Sequence, residues 1–189
     1  LIQLPLPSHI NESLILNSVS SDKDVDGFHP INAGNLFEGK PSFIACTPHG
    51  ILKMLEHYNV EIEGKNAVVL GRSNIVGKPA AILLLQKNAT VTICHSKTQN
   101  LEGILKEADI IVAAIGRANF VKGNMVKKGA IVVDVGINRL ESGKLVGDVN
   151  FDEVEPISEL ITPVPGGVGP MTITMLLWNT VLSYEKSVS

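Results

Sequence analysis

The residues best suited to chemistry form the segment Gly71-Arg72-Ser73-Asn74-Ile75-Val76-Gly77-Lys78-Pro79, between the apolar run Ala67 to Leu70 and a second apolar stretch, Ala80 to Gln86. Glycine lets the backbone bend sharply and approach a phosphate, and the start of a following helix offers unpaired N–H groups and the positive end of its dipole. The segment reads as an anion site. It departs from the G-x-G-x-x-G pattern, and an ordinary strand–helix turn uses the same residue types. After the next apolar run comes Cys94-His95-Ser96-Lys97-Thr98. Enzymes that bind NAD place a carboxylate there to hold the ribose diol. Hydroxyls and a cation stand in its place, with Arg72 close by, so a 2′-phosphate finds partners and NADP is favoured over NAD. The competing reading makes Arg72 and Lys97 ordinary solvated charges.

Two further clusters bear on ligands. The order Asp22-Lys23-Asp24-Val25-Asp26-Gly27 resembles the opening of a calcium loop but lacks the later glutamate in register, so no metal is expected. A carboxylate that accepts hydrogen bonds from a ring amine fits it, and so does a plain surface turn. In Pro163-Val164-Pro165-Gly166-Gly167-Val168-Gly169-Pro170 small side chains leave the backbone accessible just before a helix, as a ligand-contacting loop or a rigid connector would. His95 lies beside the expected nucleotide pocket, whereas His9, His29, His49 and His57 fall in loops or on helix surfaces and none is assigned to catalysis. Nucleophile elbow, Walker loop and H-E-x-x-H are absent.

These groups need a scaffold, and the chain of 189 residues, 44% of them apolar, is long enough to bury a core. A net charge of -3 offers no field for nucleic acid, Cys46 and Cys94 sit outside metal or disulfide spacing, and no apolar run reaches the roughly 20 residues that cross a bilayer. The expectation is a cytoplasmic protein. Runs at Ala67–Leu70, Thr90–Ile93, Ile110–Ala113 and Ala130–Val135 alternate with helical stretches at about 48–58, 80–86 and 101–108. That grammar predicts an α/β fold with a Rossmann-like, doubly wound parallel sheet whose strands are buried on both faces. Leu1 to Leu4 reads as the tail of a strand that stops at Pro5, which implies sequence missing upstream. Glu12 to Val19 reads as a short helix, residues 20–35 as a long loop, Asn138 to Gly147 as a hairpin available for dimer contact, and the stretch after Pro170 as an apolar helix needing a covering layer. Thr47-Pro48 reads as a capped helix start.

Taken in order, QLPLP, KDVDGFHP, CTP-x-G, GRSNIVGKP, HSKT, DVGIN and PVPGGVGPMT resemble the bifunctional methylenetetrahydrofolate dehydrogenase/methenyltetrahydrofolate cyclohydrolase family over essentially the whole chain. The resemblance implies NADP-dependent oxidation of 5,10-methylenetetrahydrofolate and hydrolysis of the product to 10-formyltetrahydrofolate, in one-carbon metabolism serving purine biosynthesis, by a homodimer. It implies three segments: a folate-binding remnant of an N-terminal α/β domain (1–45), an NADP-binding domain (46–162), and a folate-contacting loop with a C-terminal helix that closes the substrate domain (163–189). Gln3 looks like the glutamine that tunes the catalytic lysine, with Ile2 and Leu4 lining the folate site; Asp24 resembles the carboxylate that grips the pterin. Pro165, Gly166, Gly167, Val168 and Gly169 match the loop against the folate. Gly71, Arg72 and Ser73 match the phosphate turn, Ser96 the 2′-phosphate neighbourhood and Ile137 the nicotinamide contact. The family's Y-x-x-x-K pair lies upstream of QLPLP and no lysine here matches it, and Ile115-Gly116-Arg117-Ala118 departs from the usual cofactor-edge loop. The alternatives are a non-catalytic dinucleotide-binding module and a two-domain dehydrogenase for another small substrate. The 189-residue chain should therefore bind NADP yet hydrolyse methenyltetrahydrofolate slowly; a hydrolysis rate matching that of a complete family enzyme would refute this.

Overall fold

The computed structural model describes residues 1–40 and 43–188. Along the chain lie α1 (Glu12–Ser18), α2 (Pro30–Phe37), α3 (Cys46–His57), β1 (Asn66–Leu70), α4 (Gly77–Gln86), β2 (Thr90–Cys94), α5 (Leu101–Lys106), β3 (Ile110–Ala113) and β4 (Ile131–Asp134). There follow β5 (Asn138–Arg139), β6 (Leu145–Val146), α6 (Phe151–Val154), β7 (Leu160–Ile161) and α7 (Val168–Val188). Five strands pair in parallel in the order β2-β1-β3-β4-β7, while β5 and β6 form a separate antiparallel ribbon.

Period-two alternation explains the layering. Ala67, Val69, Ile110, Val112, Ile131 and Val133 point to one face, where Leu36, Ile51, Leu55, Leu83 and Leu84 of α2, α3 and α4 cover them. Val68, Leu70, Ile111, Ala113 and Val132 point to the other, against Leu105, Val121, Val149 and Val154. The sheet is thus doubly wound, as the apolar runs required. Register aligns Leu70 with both Cys94 and Ala113, and Ala113 with Asp134, so four strands finish on one line. From β1 the chain goes outward to β2 and then crosses back to β3. The crevice beyond β1 and β3 is the topological switch point, where such sheets bind ligands.

Helix α7 returns from the sheet to α3. Their backbones pass so closely that a Cβ on Gly50 would lie 2.9 Å from the Met171 Cβ. Buried Asn179 donates from Nδ2 to the carbonyls of Val25 (2.9 Å) and Ile44 (3.0 Å), and the Ser183 hydroxyl donates to the Asp22 carbonyl. The acidic loop is in this way tied to the helix. The opposite face of α7, with Ile173, Leu177, Trp178, Val181 and Tyr184, is exposed.

Several expectations need correction. Residues 1–7 form no strand, because no described segment lies alongside to accept the ladder. The supposed loop over 20–35 contains a single 3-10 turn, Ser21–Lys23, and α2, whose first amide is taken by the His29 ring nitrogen and whose first residue is Pro30. Thr47 caps nothing: α3 starts one residue earlier, at Cys46, and the Thr47 hydroxyl meets that of Thr172 at 2.9 Å. Strand β2 is an edge with Thr92 and Ile93 exposed, so burial on both faces holds for β1, β3 and β4 only. His29 and His49 are buried rather than superficial, and burial holds the His49 ring below the usual imidazole range. No described helix is long and apolar enough to cross a membrane.

Replacing Asn179 by Ala removes the donor shared by the Val25 and Ile44 carbonyls, leaving Val25 only the Cys46 thiol at 3.4 Å, and it should lower unfolding free energy by about 1–3 kcal/mol in denaturant titrations. A midpoint unchanged from the parent chain would contradict this account of how α7 is anchored.

Candidate functional site

Two clefts open at the carboxyl ends of the strands. The first, about 490 Å³, is lined by Gly71 and Arg72 after β1, His95, Ser96 and Thr98 after β2, and Ala114, Ile115, Arg117 and Phe120 after β3. Gly71 has φ +125°, and a Cβ there would stand 2.2 Å from the Ala114 carbonyl oxygen. Only glycine lets these two loops pass. Gly77 is required similarly, since its Cβ would meet the Gly71 carbonyl at 2.3 Å.

The expected row of free helix amides is not there. The Ser73 hydroxyl accepts from Val76 N (3.1 Å) and Gly77 N (3.2 Å), the Ser73 carbonyl accepts from Lys78 N, and Pro79 has no N–H. Ser73 therefore serves the start of α4, and the positive charge at this cleft comes from side chains. One is Arg72; the other is Arg117, not Lys97, which is not part of the lining. The Arg117 guanidinium lies 4.4 Å from the centre of the Phe120 ring. The His95 to Thr98 loop is held by its own contacts: the Thr98 hydroxyl accepts from His95 N, and the His95 Nδ1 accepts from Lys97 N.

The second cleft, about 420 Å³, brings together Ile2, Gln3 and Leu4 with Asp26, Phe28, Cys46 and Thr47, with Val135 and Ile137 after β4, and with Val168, Gly169 and Thr172 at the start of α7. Ile75, from the Gly71 loop, is part of its wall. Walls of this kind suit a flat, largely apolar ligand with a polar edge. Gln3 is exposed, its amide donating to the Leu4 carbonyl. Pro165 and Gly166 stay outside the lining, while Gly167 is buried with its Cα against the Pro163 carbonyl, and Gly169 faces Ile137.

Asp24 is misplaced for the role that the family resemblance suggested. Its Oδ2 accepts from His29 N (2.8 Å) and Asn32 Nδ2 (2.9 Å) inside the loop, and it does not line the cleft. The carboxylate that does is Asp26, two residues on. Burial raises the Asp26 pKa, partly opposed by the hydrogen bond it accepts from Ile2 N at 3.2 Å. Burial also pushes the Cys46 thiol up to about 11, with Asp26 adding to it, so it is a protonated lining group and no nucleophile.

Sequence reading also passed over two carboxylates beneath the clefts. Asp134, at the end of β4, accepts from Gly136 N, Asp148 N and Val149 N, each at 2.9 Å. A Cβ on Gly147 would fall upon its Oδ2. Asp148 in turn receives the amides of the loop after β3. The signal available in sequence was polar residues ending an otherwise apolar strand and an apolar ribbon.

A parallel sheet with a cationic crevice at its switch point and a second, largely apolar cleft beside it is the architecture of a nucleotide-dependent α/β domain with an appended substrate site. Comparison narrows the class. Residues 45–188 match the family described as "Tetrahydrofolate dehydrogenase/cyclohydrolase, NAD(P)-binding domain". A "Bifunctional protein FolD" from Bacillus velezensis is 59% identical over 189 residues, all of this chain and 67% of the relative. Its counterpart in Enterococcus faecalis is 63% identical over 98% of this chain and 66% of the relative. The crystal structure of the Campylobacter jejuni bifunctional enzyme FolD superposes with a TM-score of 0.96 at 58% identity, over 98% of this chain and 66% of the other. A Trypanosoma brucei dehydrogenase-cyclohydrolase, complexed with NADP and an inhibitor, gives 0.94 at 42% identity, over 98% and 66%. The chain belongs to the tetrahydrofolate dehydrogenase/cyclohydrolase family, and spans about two thirds of the length of these relatives.

Burial, the largest influence, pushes Asp134 up to about 6 against its three amide donors, and Asp148 adds to the rise. Between pH 4 and 6 the native state then holds a proton that the unfolded chain, at about 3.9, has released. The group's contribution to stability accordingly grows as pH falls from 7 toward 5. This is opposite in sign to Asp109 and Glu56, held low by Lys127 and by Lys53 with Lys87. The unfolding free energy of the parent minus that of Asp134→Asn should rise from pH 7 to pH 5 in denaturant titrations; a constant or falling difference would show Asp134 to be charged throughout.

Proposed function

We propose that this chain provides the NADP site and most of the pterin-facing wall of an enzyme that oxidises 5,10-methylenetetrahydrofolate and hydrolyses the methenyl product to 10-formyltetrahydrofolate. The observation that carries this reading is the pairing of the Gly71–Ala114 crevice, flanked by Arg72, Ser96 and Arg117, with a neighbouring cleft that holds Asp26 and Gln3. The family match, and relatives named as bifunctional or complexed with NADP, support it.

The residues fit the cofactor's demands. The bend at Gly71, which a Cβ would close, admits a pyrophosphate against the backbone. Arg72 with the Ser96 hydroxyl would hold the 2′-phosphate, and Arg117 adds a second cation in the same cleft. Ile137, exposed on the loop after β4, offers the nicotinamide an apolar face and belongs to the second cleft, so one residue borders both ligands. When bound, NADP supplies the hydride acceptor.

On the substrate side Asp26, rather than Asp24, is positioned to accept hydrogen bonds from the ring N–H and amine of a pterin. Ile2, Leu4, Phe28 and Leu176 enclose the ring, and Val168 and Gly169 close one end. Gln3 lines the same cleft, where its amide would be within the substrate's surroundings. The hydride step then depends on orientation: two flat rings must meet face to face, and fixed walls provide that alignment. In this division residues 1–45 and 163–189 serve the folate and residues 46–162 chiefly the cofactor, with Cys46, Thr47, Ile75, Val135 and Ile137 completing the substrate cleft. The same reading makes the enzyme a cytoplasmic homodimer in the one-carbon supply to purine biosynthesis. The exposed edge of β2 and the β5–β6 ribbon offer surfaces to a second copy.

Calorimetric titration of NADP and NAD into the chain tests the cofactor half. Arg72→Ala should weaken NADP at least tenfold, about 1.4 kcal/mol, and leave NAD nearly unchanged; equal losses for both would place the 2′-phosphate elsewhere. On the folate side, Asp26→Asn in a complete family enzyme carrying this sequence should raise the KM for methylenetetrahydrofolate, while Asp24→Asn should lower thermal stability instead. The reverse pattern would restore Asp24 as the pterin carboxylate.

A further inference from the structure

Asp148 is fully buried, yet it lies just beneath the first cleft, two residues beyond β6. Its Oδ2 accepts from Ile115 N at 2.7 Å and Gly116 N at 2.9 Å. Its Oδ1 accepts from Arg117 N at 2.8 Å and from Asn138 Nδ2 at 2.9 Å. Three consecutive backbone amides thus converge on one carboxylate, the concave arrangement that ordinarily captures a free anion. Here the anion is part of the protein. Close approach is possible only because residue 136 is glycine: a Cβ there would stand 2.3 Å from Oδ1.

A buried carboxylate is a costly way to gain stability alone, since apolar residues of similar volume often do as well. What it gives is a defined conformation. The loop it holds is irregular, with Gly116 at φ +66°, and belongs to no helix or strand. Ile115 and Arg117, on either side of that glycine, both line the cofactor cleft. Asn138, the fourth donor, follows Ile137, which lines the substrate cleft. The chain on the far side is also pinned, with Asn119 N donating to the Gly147 carbonyl and Val121 N to that of Asp148. Asp134 holds Asp148 by its own amide.

We propose that Asp148 is a positioning residue for the nicotinamide cofactor. It touches no ligand; it presets the Ile115–Arg117 loop, so that the Arg117 guanidinium stacked on Phe120 faces the cleft before the cofactor arrives, and it fixes the Ile137–Asn138 turn from the same carboxylate. This rests on the cofactor reading above. Preorganisation of this kind raises affinity by removing the ordering that binding would otherwise require.

A double-mutant cycle on the 189-residue chain tests it, with NADP binding measured by calorimetry for the parent, Asp148→Asn, Arg117→Ala and the double variant. Asparagine keeps the shape but turns an NH2 group toward N–H donors. Asp148→Asn should weaken NADP tenfold or more with the fold retained by circular dichroism, and should cost less than threefold once Arg117 is Ala. Additive losses, or a folded Asp148→Asn that binds as the parent does, would overturn the proposal while leaving the cofactor site standing. A parent chain that fails to bind NADP overturns both. Should Asp148→Asn not fold, hydrogen exchange on the parent decides. The amides of Ile115, Gly116 and Arg117 should already be protected about 100-fold without NADP, and protection that appears only on adding NADP rejects the preset loop.

Discussion

The site depends on one close passage of backbone. Where the chain leaves β1 it must turn beneath the loop that leaves β3, and at Gly71 the Ala114 carbonyl occupies the space of a missing side chain. Parallel register makes this meeting unavoidable, because Leu70 and Ala113 end opposite one another. The strand order then carries the two chains apart, toward β2 and β4, and a crevice opens between them. Any Cβ at position 71 would force the loops apart and remove the floor on which the cofactor cleft is built.

Electrostatics around that crevice are divided between two levels. At the surface, Arg72 and Arg117 face the cleft, while the amides at the start of α4 are already satisfied by Ser73 and by the absence of a donor at Pro79. Below it, Asp134 and Asp148 gather backbone donors from three separate turns. The lower level carries no ligand chemistry. It converts irregular loops, which would otherwise sample many conformations, into fixed walls, and each carboxylate needs a glycine opposite it, Gly147 and Gly136, to come close enough. Helix α7 plays a comparable part for the second cleft through Asn179, which ties the acidic loop to the helix that contributes Val168, Gly169 and Thr172.

Much of this was legible beforehand. The alternation of apolar runs with helical stretches foretold β1 to β4 and their helices, because strands covered on both faces must be apolar throughout. The edge was not foretold: Thr90 to Ile93 are β-branched throughout, as a central strand can be, and only the strand order left β2 without a second neighbour. Helix α2 escaped because its start combines His29 and Pro30 with two aspartates and a glycine just before it, composition typical of a turn. Strand β7 is two residues long, too short for any period to show.

For the site, Gln3 was suggested by the family resemblance alone, while residue type pointed to Gly71, Arg72 and the Ser96 hydroxyl, since unusual backbone, a fixed cation and a hydroxyl after a strand can each be seen in one dimension. The choice between Asp24 and Asp26 could not. Both are buried carboxylates in one short loop, and what separates them is direction: Asp24 turns to His29 and Asn32, Asp26 to the cleft. Arg117 and Lys97 carry the same charge, but only Arg117 lines the cleft. Sequence alone therefore determined the parallel sheet and the glycine bend, because these follow from apolar periodicity and local backbone freedom. Tertiary structure alone decided which carboxylate and which cation line the clefts, and that Asp148 lies under the loop, because side-chain direction is not written in residue type and the Asp148 contacts join residues 10 to 33 positions apart, brought together only when the sheet and its crossovers have closed.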